Sequence, residues 1–368
     1  MLEILARLLV FMLGAILVGI TLLSAIKSIV LPRSAPDWIT RFVFRYMRRM
    51  FRFRLRALKT YAQRDRIMAY YAPISMVLLL PVWLSLVMLG YTAIFWAIGA
   101  PTLFDAFLIS GSSLLTLGFR SSESFPFSIL EFTEATIGLI LVALLIAYLP
   151  SMYAAFSRRE TAVTLLEVRA GSPPSAVELI SRYNRIHGLS KLAETWQAWE
   201  TWFADVQESH TTLAALVFFR SPQPDKSWVT ASGAILDAAS LLLSSVDTPY
   251  EPLAALCIRA GYLCLRQIAD FFGFPYPANP HFPHDPISVS RAEYDAALQR
   301  LEAEGVPLKP DRDQAWADFA GWRVNYDRQL VTLADLTMAP DSPWSGARRQ
   351  PEAYPLSFRE GWFRSRKH

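Results

Sequence analysis

Three stretches of the chain are long and uncharged enough to cross a lipid bilayer. They cover residues 8–26, 69–101 and 135–157, and none of them contains Asp, Glu, Lys or Arg. A transmembrane helix needs about 20 apolar residues, so each stretch allows one crossing. The chain after residue 158 is more polar and long enough to fold around a core of its own. The sequence therefore predicts an all-α membrane protein with three transmembrane helices and an all-α cytoplasmic domain.

The loop between the first two spans sets the predicted orientation. Residues 33–68 are rich in arginine, and only Asp37 and Asp65 oppose the positive charges. Loops of this kind stay in the cytoplasm. We therefore expect a multi-pass protein of the cell (inner) membrane, with its N-terminus outside and its C-terminal domain in the cytoplasm.

The same basic loop contains a run in which aromatic and aliphatic residues alternate with arginines. At helical spacing this run predicts an amphipathic helix on the membrane surface. Arg45, Arg48, Arg49 and Arg52 are then placed to bind anionic lipid headgroups. Nucleic acid is the less favoured partner, because membrane spans flank the loop on both sides.

Between the second and third spans, residues 103–119 read LFDAFLISGSSLLTLGF. This segment is apolar but too short to cross the bilayer and return as two helices. Its first part predicts a short helix with Thr102 as N-cap, and the Gly, Ser and Pro residues that follow break the helix. Non-helical backbone at membrane depth is tolerated where protein buries it or where it lines a water-filled path. The pattern predicts a re-entrant segment.

The run Thr116-Leu117-Gly118-Phe119 resembles the first four positions of the Thr-Val-Gly-Tyr-Gly filter of the potassium-channel-like superfamily of two-transmembrane pore-loop ion channels. Arg120 stands where the second filter glycine is expected. The resemblance covers the pore module only, about residues 70–157. It implies an outer helix, a pore helix with its filter, an inner helix, and a homotetramer that passes inorganic ions, with a monovalent cation as the expected ion.

Three acidic residues are the candidates to neutralise Arg120 behind the filter. They are Glu123, Glu131 and Glu134, and carboxylates near a membrane span call for a functional hypothesis with a named partner. If Arg120 instead faces the axis of the pore, the mouth would favour anions or block cations. An interfacial ion pair at headgroup depth is the remaining alternative.

Two residues in the third span are candidates for gating. Gly138 lies where inner helices of this superfamily often carry a hinge glycine, and Pro150 lacks the amide hydrogen of a helix interior. We expect a hinge or kink at these positions.

The cytoplasmic part shows helical patterns and no enzyme motif. Leu192, Trp196, Trp199 and Phe203 recur every three or four residues, which is typical of a helix face that packs into a core. His281 and His284 have a spacing that can bind metal, but no third ligand follows at motif spacing. We therefore expect no enzymatic activity, no cofactor and no metal site.

The sequence divides the chain into five predicted regions. They are an N-terminal transmembrane helix (1–32), a basic amphipathic segment (33–68), a pore module (69–158), a cytoplasmic helical domain (159–340) and a basic tail (341–368). The favoured function is a tetrameric ion channel that the cytoplasmic domain regulates. The alternatives are a non-conducting sensor or scaffold, a weakly selective or anion channel, and a membrane-bound enzyme with a pocket around His281, His284 and Asp285.

Overall fold

The computed structural model describes residues 2–31, 37–55, 57–122 and 124–345. These residues form α-helices with short 3₁₀ turns, and no β-strand occurs among them. Three of the helices are long and apolar enough to cross a membrane. The predicted all-helical class and the three apolar spans are confirmed, which makes the chain compatible with a membrane protein.

The chain folds as two units. The first unit lies within Met1–Lys59 and Ile67–Ala154 and contains the candidate spans. Its helices are α1 (Leu2–Ile29), α2 (Trp38–Leu55), α4 (Tyr71–Ala97), α5 (Leu103–Leu114) and the first part of α6 (Phe125–Ala170). The helix α3 (Tyr61–Met68) begins in the second unit.

The second unit comprises Thr60–Arg66 and the chain from Ala155 onward. Its remaining helices are α7 (Ala176–Arg185), α8 (Leu192–Thr212), α9 (Trp228–Ser244), α10 (Pro252–Phe272), α11 (Arg291–Ala303), α12 (Arg312–Arg323) and α13 (Asp327–Thr337). The helix α9 is apolar and buried over nearly its whole length, with α7, α10, α12 and α13 packed against it. The apolar side chains of α9 therefore form part of the core of the second unit.

Helices α1 and α4 cross at two glycines. A Cβ atom on Gly14 would lie 2.5 Å from the carbonyl oxygen of Gly90, and one on Gly90 would lie 2.6 Å from Cγ2 of Val18. Small residues let helix backbones approach closely where lipid offers no hydrophobic drive for association. The missing side chains thus set the distance between these two spans.

The core of the second unit is built around aromatic residues and a buried arginine. Trp196, Trp199 and Phe203 are all buried, as the helical spacing of this stripe predicts. Arg323 is fully buried and donates hydrogen bonds to the carboxylates of Asp237 and Asp327. Two carboxylates around one guanidinium give the buried charges partners, without which they would be strongly destabilising.

A second buried arginine lies in the part of α6 that belongs to the second unit. The Arg159 guanidinium donates to the carbonyl oxygens of Leu216 and Phe219, both at 2.8 Å, and pairs with Glu160. Its Nη1 also lies 3.1 Å from Nε2 of His210. Since a guanidinium can only donate, this nitrogen of the imidazole accepts and the ring is neutral.

We expect alanine to destabilise the protein at Gly14, which lies in the helix crossing, but not at Gly19 of the same helix. Gly14→Ala should lower the free energy of unfolding by about 1–3 kcal/mol, because the new methyl group overlaps the α4 backbone. Gly19→Ala should not destabilise, since nothing lies within 4 Å of its Cβ position. Thermal unfolding of both purified variants in detergent measures the difference. Equal unfolding temperatures would contradict the close crossing.

The second unit should lose stability as the pH falls below about 6.5. Burial, and after it the charge of Arg159, hold the pKa of His210 well below its usual value. Only the unfolded chain then binds a proton in this range, which costs the native state about 1.4 kcal/mol between pH 7.5 and 5.5. Unfolding curves at both pH values should show this decrease. In His210→Gln, which keeps an acceptor for Arg159, the decrease should be smaller by that amount. The same pH dependence in both proteins would rule out His210 as its source.

Candidate functional site

The short helix α5 begins at a polar cap. Thr102 is its N-cap, as predicted, and its hydroxyl accepts a hydrogen bond from the amide of Asp105 at 3.0 Å. The same hydroxyl donates to the Asp105 carboxylate at 2.8 Å. A carboxylate in the first turn is favourable because the N-terminus of a helix carries a partial positive charge. These contacts fix where α5 starts.

The opposite end of α5 closes in a hydrogen-bonded turn. The amide of Leu117 donates to the carbonyl of Ser112 at 2.8 Å, and that of Thr116 donates to the carbonyl of Ser113 at 3.0 Å. This pair of bonds is the Schellman helix ending, which needs a left-handed residue after the cap. Thr116 takes that role with φ of 54°. The turn satisfies carbonyls that the end of a helix otherwise leaves unpaired.

The next residues leave their carbonyl oxygens available. Gly118 has φ of 70°, a region that glycine occupies without strain. Within the described part of the chain, no group donates a hydrogen bond to the carbonyl oxygens of residues 116–119. The side chains of Leu117 and Phe119 are exposed. The segment thus presents a row of unpaired acceptors beside apolar side chains.

Arg120 pairs with Asp105, which was not among its predicted partners. Its guanidinium donates to the carboxylate of Asp105 at 2.8 Å, and its amide donates to the hydroxyl of Ser112 at 3.0 Å. Neither Glu131 nor Glu134 forms an ion pair with Arg120 in the described part of the chain, and their role as support of the filter stays a prediction. Asp105 is the closer partner because the chain folds back along α5 after Gly118.

Glu131 and Glu134 do contact this region, through other donors. Glu131 accepts a hydrogen bond from the amide of Ser122 at 3.0 Å. One oxygen of Glu134 lies 2.5 Å from the hydroxyl of Ser110 in α5. The other oxygen of Glu134 is buried and has no hydrogen-bond partner. The two carboxyls of α6 thus contact both α5 and the segment after it. Glu123 lies outside the described residues.

The predicted gating residues lie within one continuous helix, since α6 runs from Phe125 to Ala170 through both Gly138 and Pro150. A Cβ atom on Gly138 would lie 2.3 Å from the carbonyl oxygen of Leu114. Gly138 therefore allows α6 to touch the C-terminal end of α5. The structure gives this glycine a packing role, and a hinge at Gly138 or Pro150 stays a prediction.

The histidine pair in the second unit forms a local turn. Asp285 accepts a hydrogen bond from the amide of His281 at 2.9 Å, and His284 lies 3.5 Å from the same carboxylate. The described residues contain no group of three potential metal ligands. A cavity of about 280 Å³ in the same unit is lined instead by residues such as Val177, Arg300 and Trp344.

No protein-family model, no curated protein and no solved structure matches this chain. The candidate site therefore rests on its own geometry. That geometry comprises a half-length helix between two apolar spans, a capped end, and a glycine-containing segment that Asp105, Ser112 and Glu131 hold in place.

Neutral substitution of Glu134 should be tolerated better than truncation. A carboxylate oxygen without a partner is costly when buried, whereas an uncharged amide of similar size costs less. We expect Glu134→Gln to unfold at the same temperature as the parent protein or higher. Glu134→Ala should lower the free energy of unfolding by about 2 kcal/mol, because it leaves a cavity and removes the partner of Ser110. Thermal unfolding in detergent checks both, and a marked loss in Glu134→Gln would show that the charge itself is needed.

Proposed function

We propose that this protein is a membrane channel in which residues 115–122 form the narrow part of an ion path. One observation carries the proposal: between two apolar spans lies a half-length helix, followed by four residues whose carbonyl oxygens accept no hydrogen bond from the described chain. Unpaired carbonyls at membrane depth are favourable only where water or an ion can reach them. One such segment cannot enclose a path, so the proposal includes a homotetramer.

The pairing of Arg120 supports conduction of a monovalent cation. Its guanidinium meets the Asp105 carboxylate, so the two charges cancel near the segment. An unpaired arginine at the mouth of the path would instead repel cations, and four of them would surround the axis in a tetramer. This arrangement makes the anion channel the weaker form of the proposal.

A non-conducting membrane sensor or scaffold is the second candidate. The observation in its favour is the turn at the end of α5, where the amides of Thr116 and Leu117 are already engaged with Ser113 and Ser112. A filter extended along an axis would present its backbone differently. In this alternative the segment would only cap α5, and the protein would keep the architecture of a pore without conducting ions.

Ion flux into liposomes tests the proposal. Vesicles with the purified full-length protein receive potassium, sodium or chloride gradients in separate experiments. We expect flux of a monovalent cation in the parent protein, and at least a tenfold lower flux in Gly118→Ala, because alanine strains a backbone with φ of 70°.

The matched control is Gly305→Ala. Gly305 also has a positive φ, of 73°, and nothing lies within 4 Å of its Cβ position. It follows α11 in the second unit, outside the proposed path, so its substitution brings comparable backbone strain and should leave flux unchanged. Equal loss in both variants would mean that Gly118 acts through stability alone. No flux of any ion from a folded tetramer would favour the scaffold.

A further inference from the structure

The helix α2 has three faces of different chemistry. One face is buried and includes Ile39, Val43, Met47 and Phe51. The exposed remainder divides at helical spacing into an aromatic face and a basic face. The aromatic face consists of Trp38, Phe42, Tyr46, Met50 and Phe53. The basic face contains Arg41, Arg45, Arg48 and Arg52, with Arg49 at its border with the aromatic face. A helix that only joined two spans would need no second apolar face.

The buried face attaches α2 to one end of the α1–α4 pair. Asp37, just before α2, accepts a hydrogen bond at 2.5 Å from the hydroxyl of Ser24, which lies five residues before the end of α1. The hydroxyl of Tyr71, the first residue of α4, donates to the carbonyl of Phe44 at 3.1 Å. The point where α1 ends and α4 starts is one boundary of the two spans. The helix α2 is thereby held where apolar chain meets water.

The aromatic face is strongly exposed for residues of its type. The exposed fractions are 57% for Trp38, 59% for Phe42, 61% for Tyr46 and 74% for Phe53. Four large apolar side chains on one face mark an interaction surface. Tryptophan and tyrosine are enriched at the boundary between hydrocarbon and headgroups, because they are apolar with a polar tip.

The charge of α2 is of one sign. Its 18 residues include six arginines and no acidic residue. Arg49 and Arg52 are exposed, and neither forms an ion pair with an acidic side chain in the described part of the chain. Positive charge beside an aromatic face complements a surface with negative charge above an apolar layer. An anionic lipid leaflet has that arrangement, whereas a soluble anion would match only the arginines.

We propose that α2 is an interfacial helix that binds anionic phospholipid in the bilayer, with its aromatic face at the depth of the upper acyl chains and its basic face at the headgroups. The inference concerns the membrane surface of the first unit and does not depend on whether the protein conducts ions. It assigns one occupant to the exposed face of α2, a phospholipid with a negative headgroup.

Lipid titration of the full-length protein in detergent tests the charge requirement. Short-chain phosphatidylglycerol, short-chain phosphatidylcholine and inorganic phosphate serve as separate titrants, with binding followed by thermophoresis. We expect a preference for phosphatidylglycerol over phosphatidylcholine, and no response to phosphate in the same range. In Arg49→Gln/Arg52→Gln the preference should fall by about fivefold for each arginine removed.

The control is Arg169→Gln/Arg300→Gln. These arginines are exposed, belong to the second unit and change the net charge by the same amount. The control should keep the parent preference. An equal loss of the phosphatidylglycerol preference in both double variants would mean that it depends only on the net charge of the protein and would overturn the proposal. An unchanged preference in Arg49→Gln/Arg52→Gln would also overturn it. A response to phosphate equal to that to phosphatidylglycerol would also overturn it, as the site would then be one for free anions.

Spin labels test the depth of the two faces in vesicles. Labels at Phe42→Cys and Met50→Cys should collide more with oxygen, which concentrates in lipid. Labels at Arg45→Cys and Arg52→Cys should collide more with a water-soluble nickel chelate. Equal access to the chelate at all four positions would place α2 in water and overturn the proposal. Exclusion of both reagents at the aromatic positions would do the same, because it would mean that protein covers this face.

The native cysteines leave this labelling experiment interpretable. Cys257 and Cys264 are free and fully buried, and burial raises the pKa of both thiols above their usual range. The reactive species toward the label is the thiolate. Both native cysteines should therefore react slowly, and labelling of the parent protein measures the background directly.

Discussion

The need to satisfy the backbone hydrogen bonds at the end of α5 governs the candidate site. A helix that ends between two apolar spans leaves carbonyl groups without intrahelical partners, and each unpaired group in hydrocarbon costs several kcal/mol. In the turn that follows α5, the amides of Thr116 and Leu117 donate hydrogen bonds to two of these carbonyls. The carbonyls of the residues after that turn accept no hydrogen bond within the described chain. These unsatisfied carbonyls connect the fold with the proposed function.

The charged groups around this segment also have polar partners. Arg120 forms an ion pair with Asp105, and Glu131 accepts a hydrogen bond from the amide of Ser122. Glu134 differs, because one of its oxygens is buried with no donor. The second unit shows a similar combination, since the buried Arg323 receives two carboxylates, while Oδ2 of Asp237 is buried without a hydrogen-bond partner. Among the described residues of the first unit, Glu134 is thus an incompletely paired carboxyl beside α5.

The sequence predicted the elements well and their polar contacts poorly. Apolar length identified the three spans, the Thr102 cap marked the start of α5, and helical spacing placed Trp196 and Phe203 in the core. These signals are local, since period and capping depend on neighbours in the chain. The break between α12 and α13 had no such local signal. No proline or glycine lies at that break to indicate it.

The partners of single polar residues depend on folding and had no local signal. Arg120 and Asp105 are 15 residues apart, and Glu134 and Ser110 are 24 apart. Several carboxylates lie at comparable distances along the chain, so separation alone could not choose among them. The Arg159–His210 contact spans 51 residues and was not predicted.

The α1–α4 crossing has a consequence for how the chain is made. Gly90 follows Gly14 by 76 residues, so at about 5–20 residues per second the ribosome needs about 4–15 s to supply the second helix after the first. During that interval α1 would be in the bilayer with its glycine face against lipid, and its Thr21 hydroxyl bonded to its own backbone carbonyl at Leu17. Assembly of the spans must wait for α4, and a factor that shelters a lone helix could act in this window.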